Sequence, residues 1–347
     1  MAIFFDAPVA PDDLTTFVRE VPADSSLALS QMFPTRFVDD NTVDFAEIIR
    51  TNRTARFRSF DGRIHVSERD AGSEKRVKLL PLSSSLSMGE YERLQVQFAR
   101  TGGTNQRALV TAVYNDAENL TREVQARLEQ AWGDVLTDGK LTINENGFQG
   151  EADFGVPAGQ IVAPAGALWS NTTTAVPLTD IRTWSDAQAA AGNGRPATFK
   201  TSLAVMRLLQ TNKEVIDAII GSTAGRTFVT IIELNNLLAS MQLPTAEDPY
   251  DSQVDVDGTQ TRVIADDKVV FFPANKAALG YTAFGLTATA LELVNSEESA
   301  LSFEEAPGIV GVVEKKSGPP YKQFTLVDAV AMPILANAKL MTIADVK

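Results

Sequence analysis

Cysteine is absent from this 347-residue chain, and histidine occurs once, as His65. Disulfides, thiolate metal sites and cysteine nucleophiles are therefore excluded, and so is any site that needs two imidazoles. His65 stands between Ile64 and Val66, where strand alternation turns it away from both, a structural or surface position rather than a catalytic one. No apolar run approaches twenty residues and no basic-then-apolar segment opens the chain, so neither a membrane span nor a secretory signal is expected. Positive charge is also scarce, with 31 Lys and Arg against 44 Asp and Glu for a net charge of −13. That balance argues against a free nucleic-acid binder, whose phosphate contacts need clustered cations. What is present, 44% hydrophobic and 22% charged residues, is the composition of a folded protein long enough for two or three domains.

The scarce positive charge is concentrated. Arg50–Lys78 carries nine Arg or Lys against four Asp or Glu, net +5, which leaves −18 on the rest of the chain. Within it, Arg53–Phe60 and Arg63–Val66 are strand-like runs joined by Asp61-Gly62, a preferred two-residue hairpin turn. The pattern predicts a projecting, basic, two-stranded arm. An isolated ribbon of that kind is marginal in water, so it should lie on another surface.

Around the arm the sequence reads as α+β. Residues 1–49, punctuated by Pro8, Pro11, Pro22 and Pro34, predict an extended arm with short helical pieces, Asp12-Asp13 capping one of them. Leu79-Leu-Pro-Leu82 then leads into a serine run, Ser83–Ser85. From Thr104 or Asn105, the spacing of Leu109, Val113, Ala117, Leu120, Val124, Leu128, Trp132 and Val135 predicts a helix of about thirty residues, ending near Gly133 to Gly139. Asp138-Gly139 and Asn146-Gly147 read as turns flanking Lys140–Ile143, and a stretch rich in Ala, Gly, Pro and Thr follows from Val156 to Pro177. Trp184–Leu243 reads as helical, with helices over Ser202–Ile220 and Thr230–Met241. Ile232–Asp267, with eight acids against the single Arg262, reads as a negative patch, and Val269–Phe272, Tyr281–Leu293 and Lys322–Val346 carry β-type patterns.

No enzyme or metal signature emerges. Asp255-Val-Asp257-Gly258 lacks the first and twelfth ligands of a calcium loop, where Gln253 and Ile264 stand, and reads as an Asp-Gly hairpin turn. Gly221-Ser-Thr-Ala-Gly225 lacks the Gly-Lys-Ser/Thr step of a phosphate loop and reads as a helix-ending loop. No Gly-x-Ser-x-Gly elbow is present, and adjacent acids such as Asp266-Asp267 and Glu304-Glu305 single out no acid/base couple. The expectation is a structural protein with no cofactor, no metal and no catalytic residue.

The second half carries an ordered set of short motifs. They run Trp169-Ser170, Pro177-Leu-Thr-Asp180-Ile181, Leu208-Leu-Gln-Thr-Asn-Lys-Glu-Val215, Tyr250-Asp-Ser-Gln253 and Asp257-Gly258. After these come Ala265-Asp-Asp-Lys-Val-Val-Phe271, Leu279-Gly280-Tyr-Thr-Ala-Phe-Gly285, Phe324-Thr-Leu326, Ala331-Met-Pro-Ile-Leu335 and Lys339–Val346. Together, in this order and spacing, they resemble the lambda-type phage major capsid protein, the head protein E family.

The resemblance implies the Hong Kong 97-type capsid fold. Residues 1–49 would be the N-terminal arm, 50–88 an extended loop, and 89–180 a peripheral domain with a spine helix over 105–136; 181–279 would be an axial domain and 280–347 the strands completing the peripheral domain. It implies self-assembly into pentamers and hexamers of an icosahedral shell around double-stranded DNA, contacted weakly and without sequence preference. A separate scaffold, a portal and a decoration protein would be partners, with assembly in the host cytoplasm and no membrane. In that setting Arg50, Arg53, Arg56, Arg58, Arg63, Arg69, Lys75 and Arg76 would reach a neighbouring copy, where Asp116, Glu118 and Glu123 of the spine helix could receive them. An encapsulin-type compartment shell, a tail or head-completion ring protein, and an enzyme working through carboxylates alone are the alternatives.

Overall fold

The computed structural model describes residues 9–48, 72–89, 105–145, 148–221, 225–256, 258–297, 299–315 and 322–347. Its arm folds back on its own chain. Helix α1 (Pro11–Glu20) starts on a proline that needs no amide donor and buries Leu14, Thr15 and Val18. Asp12 does not cap it: its carboxylate accepts from Ser299 Oγ and the Ala300 amide at 2.7 and 2.8 Å. At the other end the Arg19 guanidinium donates to the carbonyls of Glu305 and Ile309 at 2.8 and 2.9 Å. Residues 299–309 of the same molecule thus hold both ends of α1 by polar contacts, while Leu14 and Val18 join a core with Val113, Leu120 and Val313. The next helix, α2 (Ala28–Gln31), is a single turn.

Helix α3 (Asn105–Asp138) is the longest element, 34 residues or about 51 Å at ~1.5 Å per residue. The predicted apolar row from Val113 to Val135 is buried along it. Gly139, at φ +79°, ends it with its amide on the Val135 carbonyl, 2.9 Å away. The helix lies on a sheet centred on β15 (Gln323–Leu335). One half of β15 pairs with β4 (Pro81–Met88) and β14 (Val310–Lys315), and the other half pairs with β13 (Gly280–Phe284). Strand β1 (Thr35–Phe37) joins β13 in parallel. The serine run therefore belongs to this sheet, not to a loop. Trp132 sits in the core beneath, stacked on Phe33 at 3.8 Å and donating its indole N–H to Thr282 at 2.9 Å.

A second sheet, in the order β7 (Ile161–Val162), β16 (Thr342–Asp345), β12 (Lys268–Phe272), β8 (Thr198–Thr201), β9 (Thr245–Ala246), is shared between two cores. Alternation along β12 sends Val270 and Phe272 into the core that holds Trp132, and Val269 and Phe271 into a second core with Trp169, Trp184 and Phe199. Strand β16 does the same with Ile343 and Ala344. The second core recruits Trp169, Ala175, Leu178 and Val346, so it is not confined to residues 181–279.

Helices α4 (Pro177–Ala190), α5 (Leu203–Thr211), α6 (Lys213–Ile220) and α7 (Ile231–Ser240) contribute to this second core. The single helix expected over Ser202–Ile220 is two, because Asn212 is extended and its side chain accepts from the Glu214 amide as the cap of α6. Continuous helix from Trp184 to Leu243 is likewise interrupted by β8, which pairs with β12. The β pattern read over Tyr281–Leu293 ends at Phe284; Thr287 caps a short helix, α8 (Ala288–Val294), by accepting from the Ala290 amide.

Three two-stranded ribbons project from this frame: β2 (Thr42–Ile48) with β3 (Gly72–Lys78), β5 (Lys140–Glu145) with β6 (Phe148–Asp153), and β10 (Gln253–Val256) with β11 (Thr259–Arg262). In the last, the Gly258 amide donates to Asp255 at 2.7 Å with φ +82° at the glycine, where a turn is expected; Asp257 lies outside the described residues.

Candidate assembly interface

The basic arm begins on the ribbon of β2 and β3, whose register runs from Thr42 opposite Lys78 to Ile48 opposite Gly72. The expected loop segment 50–88 therefore divides differently: its root reaches back to Thr42, and 81–88 belongs to the sheet. Lys75 and Arg76 lie on β3, opposite Phe45 and Asp44. Arg50, Arg53, Arg56, Arg58, Arg63, Arg69, His65 and the expected Asp61-Gly62 turn lie outside the described residues.

The acids expected to receive the arm lie on α3, and helical geometry separates them. At 100° per residue Asp116, Glu123 and Arg127 share a face, whereas Glu118 points almost to the opposite side. There Glu118 is engaged by Arg122 one turn on, at 2.7 Å. Asp116 is half-buried. Glu123 is exposed and accepts a hydrogen bond from Ser84 Oγ of β4.

Glu123 opens into a groove of about 1110 Å³ along the outer face of α3. Strand β4 forms one wall, with Ser83 and Ser84, and β5 and the β10–β11 ribbon form the others, with Glu145 and Asp255. Arg127 spans to Glu145 at 2.7 Å. Glu123 and Asp255 are held only by neutral donors among the described residues, a serine hydroxyl for the first and the Gly258 amide and Gln260 amide group for the second. Neither makes an ion pair with a described residue; Arg122 and Arg127 also line the groove but are turned to Glu118 and Glu145. Sequence reading missed Glu145 and Asp255, because residues far apart in the chain form the groove.

The acids of Ile232–Asp267 are different. Arg226 grips Glu233 at 2.7 and 2.8 Å, Lys200 and Lys276 approach Glu247 at 3.5 and 2.6 Å, and Lys347 reaches Asp266 at 2.5 Å. Arg262 pairs with Asp251 and Lys268 lies 3.9 Å from Asp267. The expected negative patch is largely neutralised, by Arg262 within that stretch and by cations from outside it.

A buried joint ties these elements together. Glu129 of α3, fully buried, accepts the amides of Leu29 and Ser30 at the start of α2 at 2.8 and 2.7 Å. It also accepts the Tyr250 hydroxyl at 2.6 Å. Burial, then the neighbouring carboxylate, push the Tyr250 phenol well above its ordinary range. Among the described residues no cluster of three or more Asp, Glu or His could hold a metal, and no helix is long and apolar enough to cross a membrane.

Comparison with known proteins adds the following. A family model described as phage major capsid protein E matches residues 11–341. No curated protein sequence matches the chain. Among solved structures, a protein assigned as the capsid protein of a prophage in Escherichia coli CFT073 superposes with a TM-score of 0.64 at 14% identity, covering 98% of this chain and 99% of that one. A phage-related protein from Bordetella bronchiseptica RB50 superposes with a TM-score of 0.51 at 14% identity, covering 96% of each. The likeness to both is one of fold.

Proposed function

The chain belongs to the phage major capsid protein E family, and from that premise we propose that its copies close into an icosahedral shell of pentamers and hexamers that encloses a double-stranded DNA genome. The match over residues 11–341 carries this reading. The protein is a phage capsid subunit, and its work is structural.

The Hong Kong 97-type architecture fits the observed elements with amended boundaries. The arm comprises the residues before Thr42, and the extended loop runs from β2 to β3. Helix α3 is the spine of a peripheral domain built on the β15 sheet. The axial domain is the lobe around Trp169 and Phe199, rooted in the sheet that both cores share.

Assembly then rests on the basic loop of one copy meeting the groove carboxylates of the next. Surface ion pairs contribute only about 0–1 kcal/mol each. Repeated over a closed shell they stabilise strongly, and their individual weakness lets misplaced subunits leave. The net charge of −13 suits a lining along which packaged DNA slides instead of adhering. A scaffold, a portal and a decoration protein complete the expected partners, with assembly in the host cytoplasm and the virion as destination.

Negative-stain microscopy and sedimentation of the expressed protein test this reading. Closed shells are expected from the wild type, and folded but unassembled subunits from Arg56→Glu/Arg58→Glu. Normal shells from the double variant would remove the basic loop from the joint; a stable monomer as the only wild-type species under all assembly conditions would overturn the reading.

A further inference from the structure

A smaller cavity of about 310 Å³ adjoins the groove on α3. Leu82 of β4, Leu128 and Ala131 of α3, Ile143 of β5 and Met332 of β15 wall it. Arg127 and Glu145 line both spaces, so their ion pair stands where the two meet. An apolar cavity of about 150 Å³ takes up benzene, and away from the Arg127–Glu145 pair at its edge the side chains of the walls offer none of the two to four polar partners that ordered water needs. The space suits an aromatic side chain.

We propose that this cavity receives the ring of Phe60 from a second copy of the chain, with Arg56 and Arg58 of that copy lying along the acid-lined groove beside it. The proposal rests on the reading of the basic loop as the reach onto the next subunit, and names its anchor. Three observations carry it. Read as the strand its sequence predicts, positions 56, 58 and 60 share one face and span about 13 Å, at ~3.3 Å per residue. Two cations and one aromatic on a single face match a groove that ends in an apolar cavity. The groove's own cations, Arg122 and Arg127, are taken by Glu118 and Glu145, whereas its carboxylates Glu123 and Asp255 are held by neutral donors among the described residues, unlike the cation-paired acids near Glu247, so a cationic partner finds its complement here. Finally, the β2–β3 ladder stops at Ile48 and Gly72. The residues between them, 49–71, are enough for two strands of about ten residues, a reach of about 33 Å at ~3.3 Å per residue.

The chain has no cysteine, which makes thiol trapping selective. Shells co-assembled from Phe60→Cys subunits and Ala131→Cys subunits, mildly oxidised, are expected to give a dimer band on a non-reducing gel, absent from unassembled mixtures. A second mixture, Arg58→Cys with Asp255→Cys, reports the underlying reading. A dimer in the second mixture but not the first means that the loop docks but Phe60 does not enter the cavity, which overturns the proposal alone. No dimer in either overturns both. Closure within one chain of the double variant Phe60→Cys/Ala131→Cys, with no dimer in the mixture, assigns the cavity to the chain's own loop and also overturns the proposal. Independently, Phe60→Ala is expected to lower the yield of closed particles at least tenfold with the unfolding midpoint of the free subunit unchanged, and Phe60→Leu to restore most of it; wild-type yield from Phe60→Ala would refute the anchor.

Discussion

The Tyr250 hydroxyl donates a 2.6 Å hydrogen bond to the fully buried carboxylate of Glu129, whose oxygens also cap the single-turn helix α2 through the amides of Leu29 and Ser30. One side chain thus joins the arm, the long helix and the segment that leads to the β10–β11 ribbon. Hydrogen bonds to a charged acceptor are worth about 1.5–3 kcal/mol each. Tyr250→Phe removes one and should destabilise the free subunit by about that much. Glu129→Ala takes the acceptor from two amides and leaves the phenol with Ser252 alone, and should cost about 3–5 kcal/mol. Denaturant unfolding gives the magnitudes. Hydrogen exchange at Leu29 and Ser30 should rise in Glu129→Ala before the rest of the arm loosens, and protected amides there would sink this account.

Gly133 gives a second, sharper case. A Cβ at this position would fall on the Val263 carbonyl oxygen, deep inside van der Waals contact. Ala normally stabilises a helix interior over Gly by about 1 kcal/mol. Here the sign should reverse, because the obstacle is backbone that cannot swing aside. Gly133→Ala is expected to lower the unfolding free energy by at least 2 kcal/mol, within the range of about 1–3 kcal/mol for overpacking. Gly159→Ala, where nothing lies within 4 Å, is the control and should be close to neutral. Equal stability of the two variants would show that Val263 can retreat.

The contrast between α3 and the regions around it shows what the sequence could reveal. The apolar row Val113 to Val135 and the stop at Gly139 are local signals, and both appear as read, as does the positive φ of Gly258 between β10 and β11. Reading failed where a partner distant in the chain decided. Ser83–Ser85 has weak strand character and becomes β4 because β15 offers it a ladder. Thr198–Thr201 interrupts a helical stretch because β12 pairs with it. The acids of Ile232–Asp267 looked like a patch since Lys200, Lys276 and Lys347 are outside that window. Of the candidate interface, Glu123 was named from the sequence only through the family resemblance, alongside Asp116 and Glu118, whereas Glu145 and Asp255 needed the ribbons in place.

Acid should loosen α7. Glu233 closes a capping box with Thr230 at the start of that helix and is gripped by Arg226. The Arg226 hydrogen bonds, then the Thr230 amide, hold its carboxyl at about 2 against an ordinary value of 4.5. A depressed acid contributes stability that is fully present above its unfolded value and is lost as pH falls through the folded one. The loss therefore lies between about pH 4.5 and 2. Asp180 acts in the opposite sense: burial raises it, so its contribution grows more favourable on acidification. Exchange of α7 amides at pH 3 relative to pH 6 should rise in the wild type, after correction for intrinsic rates. In Glu233→Gln it should already be raised at pH 6 and change little on acidification; a wild-type pH response in that variant would assign the effect elsewhere.

The shared sheet makes a claim about cooperativity. Phe271 and Phe272 are adjacent on β12, yet one fills the core with Trp169 and the other the core with Trp132. Truncating either buried ring to alanine should cost about 3–5 kcal/mol. Had the lobes been joined only by linkers, each truncation would be felt in its own lobe. With one sheet serving as a wall of both, loss of either core exposes the other face of the same strands, so the two should unfold together. Hydrogen exchange in rising denaturant resolves this, with α3 reporting one core and α5 the other. Phe271→Ala and Phe272→Ala are each expected to lower the protection of both helices by similar amounts. If Phe271→Ala instead loosens α5 while α3 keeps its wild-type protection, the sheet does not couple the lobes. The lobe around Trp169 could then move without disturbing the β15 sheet and α3, which a strand packed on both faces forbids.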